Sequence, residues 1–253
     1  MSFKIGPHTI GDGRCFIIGE VGQAHDGSLA MAHAFVDAIA EAGADAVKFQ
    51  CHIAEAESTP DEAWRVEPQW PQDASRYDYW KRTAFSEDEW SDLKIHAEHA
   101  GLVFLCSAFS VEAVALLERL SAVAHKVPSG EITNHTLLKA VHATGKPVIV
   151  SSGMSTTGEI DEALDLLERN EYGVVLMQCT SIYPCPPEKI GLNRLFDFRR
   201  DGADAHGLSD HSGTIYAGLA AITLGCDVLE VHVKGLPALG PDASSSISAQ
   251  QLY

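Results

Sequence analysis

The stretch IIGEVGQAHDG (17–27) starts with aliphatic residues that a strand would bury and ends in Glu, Gln, His and Asp. Six more stretches repeat the arrangement: DAVKFQ (45–50), AHKVPSGEITNH (124–135), VIVSSGMS (148–155), QCTSIYPCPP (178–187), GLSDHSG (207–213) and EVHV (230–233). Each runs from aliphatic residues into Glu, Lys, Ser, Tyr or His. Parallel α/β proteins hold their ligands at the carboxyl ends of the strands. A chain that repeats this pattern so often is expected to be an enzyme built on a barrel.

Working outward, the strands expected are Phe16–Val21, Ala46–Gln50, Val103–Ser107, Ala124–Pro128, Pro147–Ser151, Val174–Cys179, Gly207–Ser209 and Val228–Val233. Amphipathic stretches lie between them, among them 29–43, 111–120 and 158–170, with apolar residues spaced near 3.6 and Gly43 as a stop signal. Strand–helix repetition implies a parallel sheet with right-handed crossovers. Eight strands point to a closed (β/α)8 TIM barrel, and no GxGxxG opens a helix after the first strand to favour a dinucleotide fold. Residues 4–13 (KIGPHTIGDG) read as a hairpin capping the barrel bottom. The connection 51–85, rich in Trp, Tyr, Pro and charge, is long enough to be a lid, binding loop or interface. The final SISAQQLY (246–253) reads as the cap and first turn of a truncated eighth helix.

The totals fit this architecture. A length of 253 residues with 45% hydrophobic content suits one domain spanning 1–253, and such a barrel needs about 250 residues. No stretch approaches the roughly 20 apolar residues of a membrane span, and Met1–Ile10 lacks a signal-peptide layout. A cytoplasmic protein is therefore expected. The formal charge of −17 argues against nucleic acid and anionic membranes as partners. Any anionic ligand must be met by a few local lysines and backbone amides. The six cysteines form no CxxC pair and read as reduced thiols.

Two histidines, His211 and His232, follow the seventh and eighth strands. Neighbouring strands lie about 4.8 Å apart, so both imidazoles could reach one ion. Two His with open positions suit a catalytic metal, Mn²⁺ before Mg²⁺, and Asp210 and Glu230 are placed to orient the rings. Lys48 and Lys126 sit in apolar strand sequence, where an unpaired ammonium is costly. Together they suggest an anion pocket, with Ser107, Ser129, Ser151, Ser152 and Ser209 as hydroxyl donors. Glu20 and Glu131 adjoin glycines at strand ends and could bind a polyol or move a proton. Tyr183, held by Pro184, would stand at the mouth. Taken singly, each has a plainer reading: a core histidine, a snorkelling lysine, turn chemistry for a serine, helix capping for a glutamate, core packing for the tyrosine.

The stretches GEVGQAHDG, AGADAVKFQ, HKVPSGEITNHTLLKAV, GKPVIVSSGMST, CTSIYPCPPE, GLSDHSG, EVHV and GPD occur in an order that resembles the N-acetylneuraminate (sialic acid) synthase family, from about Phe16 to the last residue. The resemblance implies condensation of phosphoenolpyruvate with the open-chain aldehyde of N-acetylmannosamine or a related sugar, releasing phosphate. It implies that Lys48, Lys126, Ser129, Ser151 and Ser209 hold phosphoenolpyruvate, that Ser107 stands where the family commonly has Thr, and that Tyr183 and Ser181 lie beside that ligand. His211 and His232 would carry the divalent metal, with Mn²⁺ expected first and Mg²⁺ or Co²⁺ as alternatives. Glu20 and Glu131 would position sugar hydroxyls or handle protons, and Asp242 would contact the metal's water or the sugar. A homodimer is expected.

Departures from the family accompany these matches. Many members carry a C-terminal antifreeze-like domain that reaches a partner's site, and residues 1–253 do not contain it. The segment VKGLPALGPDASSS (233–246) lacks the acidic–basic pair common before GPD. Two other readings stay open: a synthase of another nonulosonic or 3-deoxy-ulosonic acid, and a non-catalytic ligand-binding barrel that needs a partner.

Overall fold

Two short strands, β1 (Phe3–Ile5) and β2 (His8–Ile10), pair antiparallel across Gly6 and Pro7, and form the expected hairpin. The eight barrel strands follow: β3 (Phe16–Gly22), β4 (Ala46–Cys51), β5 (Val103–Ala108), β6 (His125–Val127), β7 (Val148–Ser151), β8 (Val174–Cys179), β9 (Ala205–Asp210) and β10 (Val228–Lys234). This computed structural model describes residues 2–64, 72–167, 172–198 and 203–253. Each barrel strand pairs parallel with the next, and β10 pairs with both β9 and β3, so the sheet closes. A two-residue strand, β11 (Ile247–Ser248), adds parallel to the end of β10. Strand β9 starts at Ala205, two residues before the expected Gly207, because pairing with Val175 recruits residues that lack strand propensity of their own.

Helices fill the connections. They are α1 (Leu29–Glu41), α2 (Ala54–Glu57), α3 (Arg76–Thr83), α4 (Glu87–His99), α5 (Val111–Arg119), α6 (His135–His142), α7 (Thr157–Leu167), α8 (Arg194–Phe198), α9 (Tyr216–Thr223) and α10 (Ala249–Leu252). The first shows why they form. The Ser28 hydroxyl accepts the Met31 N–H at its start, and Ala32, Phe35, Val36 and Ile39 are buried at helical spacing. Gly43 then takes φ +77°, a conformation that ends the run without a Cβ penalty. The long connection after β4 carries α2 and α3, while its residues 65–71, like 168–170 of the helix expected over 158–170, lie outside the described residues. Ser248 and Gln251 form a capping box that starts α10. Among the described residues no helix is long and apolar enough to cross a membrane.

Period-two alternation sorts the strand residues into two sets. Val47, Phe49, Phe104, Val150 and Leu176 pack outward in one apolar cluster with the helices. Ile18, Ala46, Leu105, Ile149, Val175 and Met177 point inward, joined by Ile5 and Ile10 from the hairpin. That inner set is an apolar floor, each large side chain contributing about 1.5–3 kcal/mol on burial. Everything polar in the barrel interior therefore sits above it, at the carboxyl ends of the strands.

Candidate active site

The same alternation that sends Val47 and Phe49 outward turns Lys48 inward. The register then sets Lys48 beside Glu20, Lys126 beside Ser107, and His232 beside Glu20. Lys48, Lys126, Glu20 and Glu230 are each no more than 3% exposed. Lys48 Nζ lies 2.9 Å from Glu20 Oε2 and 3.6 Å from Glu230 Oε1, and donates to Ser107 Oγ at 2.9 Å. Lys126 Nζ donates to Ser151 Oγ at 2.8 Å, but its nearest carboxylate oxygen, Glu230 Oε2, is 3.9 Å away. Ser209 Oγ donates to Glu230 Oε1 at 3.0 Å.

The two lysines are therefore unequal. Burial disfavours the charge of Lys48, yet the Glu20 and Glu230 carboxylates hold its pKa above the ordinary lysine value. Burial lowers the pKa of Lys126; Glu230 opposes that shift only in part, and Lys48 adds to it. Glu230 is pulled down to about 2 against its burial, chiefly by Lys126 and Lys48. Glu20 is raised, first by burial and then by Glu230, with Lys48 opposing. A buried ammonium short of counter-charge is a standing attraction for an anion.

Two residues beyond Ser151, the backbone of Gly153 passes close to two serines. A Cβ there would lie 2.6 Å from Ser181 Oγ and 2.7 Å from Ser129 Oγ, so only glycine leaves both hydroxyls where they are. Ser129 Oγ also donates to Cys179 Sγ at 3.1 Å. Ser152 does not join them; its hydroxyl turns to the Met177 carbonyl at 3.0 Å.

The two histidines meet as the strand positions require. Their ring centroids are 5.2 Å apart and both are buried. His211 Nδ1 faces the Thr180 carbonyl at 2.9 Å, and Nε2 faces the Tyr183 hydroxyl at 3.0 Å with the two rings stacked. Against its burial, Cys179 and the Thr180 carbonyl raise His211 to about 9. Burial lowers His232 to about 4, with Asp242 opposing. The rings are not oriented by the neighbours expected from sequence. Asp210 turns back to accept from the Ser212 N–H and hydroxyl, both at 2.9 Å, and Glu230 faces the lysines. The oxygens beside the rings are instead the Thr180 carbonyl and Asp242, whose Oδ2 is 3.7 Å from His232 Nδ1. Asp242 also converges with Glu20 and Gln50 on Gly22, where a Cβ would come within 3.5 Å of Asp242 Oδ2 and Glu20 Oε1 and 3.2 Å of Gln50 Nε2.

Among the sequence-predicted residues, Glu20, Lys48, Ser107, Lys126, Ser151 and Ser209 form one buried network. Ser129 and Ser181 flank it, and His211, His232, Tyr183 and Asp242 form an adjoining group. Glu131 stands apart on a single 3-10 turn, where it accepts from the side chain of Asn134, the N-cap of α6. Sequence reasoning missed the bridging role of Glu230, and also Gln50 and Cys179. Glu230 and Gln50 each lie two residues from a predicted ligand, His232 and Lys48, so parity alone points them inward.

Two buried imidazoles are nitrogen donors of the kind a divalent transition ion takes. His211 has Nδ1 on the Thr180 carbonyl, which fixes the ring as a ligating imidazole is fixed, while Nε2 meets the Tyr183 hydroxyl that an ion there would displace. Among the described residues no group of three or more His, Cys, Asp or Glu is placed to hold a metal.

The NeuB family model matches residues 35–253. The N,N'-diacetyllegionaminic acid synthase of Campylobacter jejuni is 33% identical, over 94% of this chain and 73% of that protein. The human N-acetylneuraminate-9-phosphate synthase is 31% identical, over 94% and 67%. The crystal structure of the N-acetylneuraminic acid synthetase from Leptospira borgpetersenii superposes with a TM-score of 0.86 at 26% identity, covering 100% of this chain and 85% of that one. A closed barrel with this polar layer at its carboxyl end, matched along nearly its whole length, places the chain in the NeuB family.

Proposed function

We propose that the chain condenses phosphoenolpyruvate with the open-chain aldehyde of N-acetylmannosamine or a related amino sugar, giving a nonulosonic acid and phosphate. The observation that carries this reading is the buried Lys126, hydrogen-bonded to Ser151 but 3.9 Å from its nearest carboxylate, beside the Ser129–Ser181 cradle. A carboxylate or phosphate entering there supplies the missing counter-charge and accepts from hydroxyls already in place. Lys48, Lys126, Ser107, Ser129, Ser151, Ser181 and Ser209 are assigned to phosphoenolpyruvate.

C3 of the enol attacks the aldehyde carbon, and the aldehyde oxygen takes up a proton. Positive charge develops at C2, and water adds there with loss of a proton. The C2–O bond of the tetrahedral adduct then breaks and phosphate leaves, so that C2 becomes the ketone. Glu230, held ionised between the lysines, is the oxygen best placed to stabilise positive charge nearby. Glu20, whose raised pKa suits proton transfer, and Asp242 face the acceptor. Tyr183 covers the mouth. Glu131, on its outer turn, keeps a role only for a long acceptor. His211 and His232 would hold a divalent ion, Mn²⁺ first, which supplies Lewis-acid polarisation of the aldehyde. A homodimer and a cytoplasmic location complete the proposal.

The test is phosphate release from phosphoenolpyruvate by the purified chain, with Mn²⁺ and a panel of aldehyde sugars. Release that needs both sugar and metal supports the synthase and identifies the acceptor. Binding of phosphoenolpyruvate without release would sink it in favour of a ligand-binding barrel. The acceptor is where the second reading lies, because the matched relatives include synthases of diacetyllegionaminic and pseudaminic acids as well.

A further inference from the structure

A second polar chain leaves the active site on its acceptor side and runs out to the long connection after β4. Gln50 Nε2 donates to Glu20 Oε1 at 2.8 Å. The other end of that amide, Oε1, lies 3.2 Å from His52 Nε2. His52 Nδ1 is 2.8 Å from Glu57 Oε1, on α2. The His52 ring is buried and clamped between two aromatic rings. Trp80 of α3 stacks on it at 3.7 Å and 13°, and Phe109, which follows β5, at 4.0 Å and 28°. The two stacks hold the plane of the imidazole.

A glutamine amide can present either end to a neighbour, and the choice is made by what each end meets. Glu20 as a carboxylate only accepts, so it requires the NH₂ end. That leaves Oε1 for His52, which must present an N–H there. Glu57 also only accepts, and it faces the other ring nitrogen. With no donor at position 52 the amide loses the partner that holds its Oε1. It is then free to turn Oε1 toward Glu20, acceptor against acceptor.

We propose that His52 is a positioning residue of the acceptor side. It orients the Gln50 amide, and through it the Glu20 carboxylate, and it ties both to the connection that carries Glu57 and Trp80. This rests on the synthase reading, in which Glu20 faces the sugar. The contacts reach the phosphoenolpyruvate side only at one remove, through Glu20 Oε2 on Lys48, which Glu230 also holds.

The test uses the full chain and the phosphate-release assay. His52→Phe keeps a ring between Trp80 and Phe109 but removes both hydrogen bonds. The expected result is a rise in the sugar KM of about tenfold, the size of one lost hydrogen bond to a charged network, with the KM for phosphoenolpyruvate within twofold and Tm unchanged. His52→Gln, which restores a side-chain N–H, should recover part of the loss. In a Gln50→Ala background His52→Phe should add less than twofold, since His52 acts through Gln50. Equal rises in both KM values, or full additivity with Gln50→Ala, would overturn the proposal. A wild-type chain that turns over no sugar would sink the synthase reading instead. The positioning claim would then be read from a crystal structure of His52→Phe, where a Gln50–Glu20 contact still at 2.8 Å would overturn it and its loss would support it.

Discussion

The two sides of the barrel mouth are built differently. The side proposed for phosphoenolpyruvate takes Lys48, Ser107, Lys126, Ser151 and Ser209 from strands, all buried and placed by sheet register, and adds Ser129 and Ser181 from the segments that follow β6 and β8. The acceptor side takes Tyr183 and Asp242 from loops, and Tyr183 is 45% exposed. Strand positions are held by ladders of backbone hydrogen bonds and cannot shift singly; loop positions can change without disturbing the barrel. The strand-built side therefore suits the proposed phosphoenolpyruvate pocket, and the loop side the proposed sugar, the part in which the relatives' names differ.

The largest expected effect breaks the rigid side. Lys126→Met should lower kcat/KM for phosphoenolpyruvate at least 100-fold, as loss of a buried charge at a reacting anion does, and by the same factor with every sugar tried. Its Tm should not fall, because an apolar side chain replaces a buried and poorly compensated ammonium. Phosphate release and a thermal melt check the pair; a loss that varies with the sugar would erase the distinction between the sides.

The histidine pair comes next, and its prediction concerns pH. At pH 7 His211, at about 9, is protonated and His232, at about 4, is neutral. A divalent ion must displace the His211 proton, so binding should release about one proton and tighten about tenfold per pH unit from 7 toward 9, then level off. Mn²⁺ titrations by calorimetry in buffers of different ionisation enthalpy read the proton directly. Affinity that is flat over this range would show that His211 is already neutral.

Smaller effects sharpen the comparison. Gly153→Ala pushes its Cβ against the Ser129 and Ser181 hydroxyls, and should raise the KM for phosphoenolpyruvate about tenfold with sugar KM unchanged. Tyr183→Phe removes the hydroxyl from His211 and should change rates only about two- to fivefold, by amounts that depend on the acceptor. Steady-state kinetics with two sugars distinguish these outcomes; an acceptor-independent Tyr183→Phe would move that residue to the rigid side.

Strand order, closure and the helical stretches are readable from the chain because alternation and the 3.6-residue period are local properties of it. Lys48, Lys126, His211 and His232 stand out for the same reason, as polar residues at the ends of apolar runs. The partners of those groups are not local. Glu230 bridges two lysines only because β10 closes against β3 and brings the ends of the chain side by side. In sequence Asp210 reads as orienting the histidine rings and Glu131 as binding a polyol or moving a proton, yet the fold gives them nearer donors, Ser212 and Asn134, and a carboxylate takes the donor within reach. The stacking of His52 between Trp80 and Phe109 likewise joins three segments that no spacing rule connects. Sequence determined which side chains face the lumen, since parity along a strand is set residue by residue. Only tertiary structure decided which of them pair, since pairing depends on distances that exist once the barrel has closed.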